Sequence, residues 1–145
     1  MILKLIYIIQ AHKNPEQLLR LINKLNNTNS YFYIHVDLKS NLSDFKILIN
    51  YENVFFIKKR VDCIWGDFSQ VQGTLNLVEY VLSHQKSKNM RFILLSGQDY
   101  PLKDNNYIYD FFQKNQQKNF INIEKLENIR KQIYRNFFAF KITHS

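Results

Sequence analysis

The chain has 145 residues, 46% of them hydrophobic and 15% aromatic, with three glycines and two prolines; that composition suits one compact core and excludes a disordered or loop-rich chain. Lys and Arg number 20 against 12 Asp and Glu, a net charge of +8, which favours anionic partners (nucleotide diphosphates, acidic membrane surfaces, nucleic acid) without choosing among them. The one cysteine, Cys63, excludes an intramolecular disulfide and a cysteine-only metal cage and suits a reducing compartment.

The apolar opening is interrupted by Lys4 and lacks a small-residue cleavage site, so it reads as a buried strand over Leu3 to Gln10 and not as a signal peptide. Asn14 as cap and Pro15 at the first helical position start a helix running to about Asn26, with Leu18, Leu19, Ile22 and Leu25 on one face. Tyr31 to Val36 is a second strand, Ser43 to Ile49 a short helix and Val54 to Ile57 a third strand. After Ile64-Trp65-Gly66-Asp67 a long helix begins near Ser69, capped by Ser69 or Asp67, because Val71, Leu75, Val78 and Leu82 recur at helical steps. Phe92 to Leu95 is a fourth strand, Asn105 to Gln116 a further helix and Asn119 to Ile123 a fifth strand; the segment from Glu124 onward carries no clear pattern. No stretch approaches the roughly 20 apolar residues of a membrane span. The expectation is a cytoplasmic chain, peripheral to the inner membrane face where its positive charge meets acidic lipid.

Strands alternating with helices on short connections imply a mostly parallel sheet with helices on both faces, a fold of the α/β class. Ligands of such sheets sit beyond the carboxyl ends of the strands. Three segments there carry candidate chemistry. In His35-Val36-Asp37-Leu38-Lys39-Ser40, Asp37 either accepts hydrogen bonds from a ribose or a nucleobase N–H, or shapes the turn together with Ser40. His35 reads as a core histidine. In Arg60 to Ser69, Trp65 offers a stacking face, Arg60 a cation and the following helix N-terminus a seat for phosphate, although a lone Trp is usually core and a lone Arg usually solvated. In Ser96-Gly97-Gln98-Asp99-Tyr100-Pro101, Asp99 reads as a sugar-hydroxyl ligand or as a structural acid that braces the loop, and less readily as a catalytic carboxylate.

Ile8-Ile9-Gln10-Ala11-His12-Lys13, His35-Val36-Asp37-Leu38-Lys39-Ser40, Ile64-Trp65-Gly66-Asp67-Phe68-Ser69-Gln70-Val71 and Leu94-Leu95-Ser96-Gly97-Gln98-Asp99-Tyr100-Pro101-Leu102 fall in the order and rough spacing of one family. Over about residues 4 to 124 the chain resembles the core-2/I-branching β-1,6-N-acetylglucosaminyltransferases and peptide O-xylosyltransferases. The resemblance implies a GT-A-like, Rossmann-related fold that transfers a sugar, N-acetylglucosamine being the first expectation, from a UDP donor to a glycan or glycolipid hydroxyl with inversion. It implies Gln10 and Asp37 in the uridine pocket, Trp65 and, upstream, Arg60 beside the nucleotide, and Glu124 and then Arg130 near the acceptor. Such a transfer needs a general base and positive charge for the departing diphosphate. The chain has no Asp-x-Asp motif, and the family uses basic side chains instead, so no metal or other cofactor is expected.

In that family the catalytic glutamate and the Arg/Lys pair on the diphosphate lie farther along than Ser145. Residues 1–145 are therefore expected to be the N-terminal nucleotide-binding part of a glycosyltransferase domain whose C-terminal catalytic part is missing. Two alternatives remain: a catalytically inactive UDP-sugar-binding fragment, and a nucleic-acid-binding module motivated by the charge and nine tyrosines. The scatter of Lys and Arg along the chain and the lack of a nucleic-acid motif weigh against the second, so nucleic acid is not an expected partner.

Overall fold

A computed structural model describes residues 2–121. Its elements alternate as β1 (Lys4–Ala11), α1 (Pro15–Leu25), β2 (Ser30–Val36), α2 (Leu42–Leu48), β3 (Val54–Phe56), α3 (Phe68–His84), β4 (Met90–Ser96) and α4 (Asn105–Lys114). The strands form one sheet in the order β3-β2-β1-β4, and every pairing is parallel. This is the expected α/β architecture, consistent with a Rossmann-related or GT-A-like sheet.

β1 is apolar almost throughout because it is central and covered on both faces. Leu5, Tyr7, Ile9 and Ala11 pack with α1, α2 and α4, whereas Ile6 and Ile8 pack with Leu77 and Val81 of α3. Aromatic neighbours tie the strands on each face: Tyr7 stacks on Phe32 with centroids 5.1 Å apart, and Tyr33 on Phe55 at 5.0 Å. Burial pushes the Tyr7 hydroxyl up to about 12.

Two local expectations need correction, and the inner face of α3 is seen only in the structure. Asn14 stands at the cap position of α1, but its side chain makes no capping bond; the residue has φ 52, a left-handed conformation that Asn tolerates, and its amide donates to Gln98 Oε1 at 3.2 Å. Of the four apolar residues that mark α3 in the sequence, only Val78 packs against the core cluster. Val71, Leu75 and Leu82 are exposed, and the buried positions are Gly73, Asn76, Leu77 and Val81. Asn119 to Ile121 is not a strand, and the rest of the expected fifth strand lies outside the described residues, as do Glu124 and Arg130.

The order of the strands reverses between β1 and β4, since the chain runs from β1 outward to β3 and then crosses back. α1 lies on one face and α3 on the other, so the connections leaving β1 and β4 part at their carboxyl ends and open a crevice there.

Candidate nucleotide site

A cleft of about 800 Å³ lies at that switch point, lined among others by Gln10, Asp37, Lys39, Cys63, Trp65 and Thr74. Gln10 is the last but one residue of β1. Its Nε2 donates to the Gln70 carbonyl at 2.7 Å and to Thr74 Oγ1 at 2.6 Å. Both amide hydrogens are thus engaged by α3, and Oε1 is the end free to accept from a ligand.

Asp37 follows β2 and is 6% exposed. Its Oδ1 accepts from the Lys39 N–H at 2.9 Å and its Oδ2 from the Cys63 N–H at 3.2 Å. A carboxylate has about four lone-pair sites, so acceptor capacity remains on each oxygen. Asp37 thus shapes its turn, the second of the two readings, and it also lines the cleft.

Beyond Ile57 the chain leaves the β-ladder and is held beside β2 largely by side chains. The Val61 N–H donates to His35 Nε2 at 2.9 Å, Leu38 N–H donates to the Val61 carbonyl at 3.0 Å, and Asn76 Nδ2 donates to the Lys59 carbonyl at 3.2 Å. His35 is buried. Burial, opposed by Asp37 and reinforced by Arg60, holds its pKa below the ordinary histidine range. A neutral ring accepting at Nε2 carries its proton on Nδ1.

Arg60 donates from Nε to the Val36 carbonyl at 2.9 Å, and from Nη2 to the carbonyls of Asp37, Leu38 and Ser40 at 2.9, 2.9 and 2.8 Å. The cation expected to face a phosphate is spread over the turn after β2. Lys39 closes the opposite side: its Nζ pairs with Asp62 at 2.7 Å and donates to the Cys63 carbonyl at 2.8 Å. The bond to Asp62 raises the Lys39 pKa, and burial pushes up the Cys63 thiol.

Trp65 is 85% exposed and borders the cleft. Gly66 beside it has φ 78, a conformation strained for other residues, and its N–H donates to Gln70 Oε1 at 2.9 Å. The N-terminus of α3 is already occupied. Asp67 caps it by accepting from the Ser69 N–H at 3.0 Å, and that bond, with help from the Ser69 hydroxyl and the Phe68 N–H, holds its carboxyl below the usual range. A negative charge sits where the sequence suggested a phosphate.

Asp99 braces its loop: Oδ2 accepts from the Ser96 N–H at 2.8 Å, and the Asp99 N–H donates to the Ser96 carbonyl at 3.0 Å. Gly97 donates to the Gln10 carbonyl at 2.8 Å, seating this loop against β1. The structure thus gathers Gln10, Asp37 and Trp65 around one cleft, sets Arg60 behind it and Asp99 in the neighbouring turn. Thr74 is the cleft residue that the sequence motifs miss; its only signal is a hydroxyl one turn after Gln70. Among the described residues, no three His, Cys, Asp or Glu side chains come together as a metal-binding group, and no helix is long and apolar enough to cross a membrane.

Residues 5–137 match the pattern of the Core-2/I-Branching enzyme family. Among curated proteins, rat xylosyltransferase 2 is 30% identical over 133 residues, which are 89% of this chain and 15% of that protein. Rat xylosyltransferase 1 is 28% identical over 97% of this chain and 18% of its own length, and the Ciona intestinalis xylosyltransferase is 30% identical over 94% and 17%. The chain thus spans less than a fifth of the length of these relatives.

Proposed function

The chain belongs to the Core-2/I-Branching enzyme family, and on that premise we propose that residues 1–145 form the uridine-nucleotide-binding part of an inverting, metal-independent glycosyltransferase. The observation that carries the reading is the position of the cleft: it opens at the switch point between β1 and β4 and presents Gln10 Oε1 and the Asp37 carboxylate, acceptors suited to a nucleobase N–H and to ribose hydroxyls. Trp65 at the rim supplies a flat face for the base or the sugar.

The donor is a UDP-sugar, carrying N-acetylglucosamine or, as the names of the relatives suggest, xylose. The acceptor is a glycan or glycolipid hydroxyl. The net charge of +8 favours work at the cytoplasmic face of a membrane with acidic lipids. Asp99 serves the site through its loop, and Glu124 is assigned to the acceptor side.

The test is release of UDP from UDP-N-acetylglucosamine and from UDP-xylose, with glycan acceptors, in EDTA. Turnover that persists in EDTA agrees with the proposal; turnover that requires a divalent cation contradicts its metal-independent part. Donor binding without turnover restricts the chain's own role to holding the nucleotide.

A further inference from the structure

We propose that Arg60 is a positioning residue that acts through Asp37, and that it does not itself contact the diphosphate; the proposal rests on the reading of the cleft as a uridine-nucleotide site. Two of the three guanidinium nitrogens of Arg60 are engaged by the main chain. Nε and Nη2 reach four consecutive-turn carbonyls, those of Val36, Asp37, Leu38 and Ser40, at 2.8 to 2.9 Å. No carboxylate is paired with the guanidinium in the described ion pairs, which join Lys39 to Asp62 and Lys59 to Glu79. Main-chain carbonyls at the carboxyl end of β2 and in the turn after it solvate the guanidinium instead.

The consequence falls on Asp37. Its carboxylate points as it does because the Lys39 N–H, two residues on, reaches Oδ1, and because the Cys63 N–H of the neighbouring segment reaches Oδ2. The first contact requires the Val36 to Ser40 turn to hold its shape. The second requires the segment from Arg60 to Cys63 to lie against that turn. Arg60 provides both, since its backbone is in the second segment and its guanidinium clasps the first. His35 adds a parallel tie through the Val61 N–H. A planar fork with fixed donor directions suits several carbonyls at once; an ammonium on a flexible stem does not.

Uridine and UDP separate this role from a phosphate contact. Titrate both ligands into the 145-residue chain, its Arg60→Lys variant and its Arg60→Met variant, and follow amide hydrogen exchange at Lys39 and Cys63. The expected result is that both variants lose affinity for uridine and for UDP by the same factor, about tenfold, the scale of one or two net hydrogen bonds. Exchange at the two amides speeds up while the melting of the rest of the chain stays cooperative. A loss confined to UDP, with uridine binding intact and a shallower salt dependence, overturns the proposal and makes Arg60 a phosphate ligand. Unchanged exchange at Lys39 and Cys63 overturns it as well. If the unsubstituted chain binds neither ligand, the cleft reading fails, and the exchange measurement still decides whether Arg60 holds the turn. Should Arg60→Met fail to fold, Arg60→Lys, which keeps charge and length, carries the comparison.

Discussion

The imidazole of His35 lies against the bare Cα of Gly73: a Cβ built on the glycine would stand 3.3 Å from Cε1 and 3.4 Å from Nε2. That approach lets α3 descend far enough for Gln10 to reach the Gln70 carbonyl and Thr74. Gly73→Ala is therefore expected to forgo the gain of about 1 kcal/mol that replacing a helical glycine usually brings, because His35 is pinned by Val61 and cannot yield freely. Gly73→Leu is expected to cost roughly 1–3 kcal/mol by overpacking. Urea unfolding midpoints of the two variants check both values.

Protonation of His35 should weaken the fold on the acid side. The folded pKa is lowered, chiefly by burial, below the unfolded value of about 6.5. The contribution is therefore complete above the unfolded pKa and is lost as pH falls through the folded one. An imidazolium has no acceptor for the Val61 N–H. Urea unfolding at neutral pH and at mildly acidic pH should show a loss of stability that is smaller in His35→Gln, whose amide oxygen accepts without titrating. An equal loss in both proteins would place the acid sensitivity elsewhere.

Much of the fold was legible because β1, β2 and β4 are apolar runs with turn residues between them, and because α1 carries a regular apolar face. The inner face of α3 was not legible from hydrophobic spacing. Its closest approach uses Gly73, a residue with no side chain to count, and Asn76, a polar one whose amide reaches the Lys59 carbonyl. The position of the cleft followed from the rule for parallel sheets. The work of Arg60 did not, since its four acceptors are main-chain carbonyls and carry no signature in the residue types.

Trp65 separates binding from stability. With its side chain largely outside the packed core, Trp65→Ala should change unfolding free energy by less than about 0.5 kcal/mol. Its affinity for UDP should fall by roughly 1–3 kcal/mol, the range for loss of an aromatic stacked on a base. As the only tryptophan, it should also report UDP by a change in its own fluorescence; no change on saturation would remove it from the site.

Gly66, next to that tryptophan, has a positive φ. Apart from its chain neighbours, no residue comes within 4 Å of a Cβ added there, so the main cost of Gly66→Ala is backbone strain, about 1 kcal/mol. The expected outcome is a small drop in melting temperature together with weaker UDP binding. Unchanged UDP binding would show that the Trp65 loop tolerates a different turn.

Calorimetric titration of UDP into the chain in EDTA, beside Asp37→Ala, tests the central claim most directly. Metal-independent binding that disappears in Asp37→Ala, with the variant still folded, is the predicted result. Absence of heat at millimolar UDP in the folded chain, or undiminished binding in Asp37→Ala, would contradict the assignment of the β1/β4 cleft as a uridine-nucleotide site.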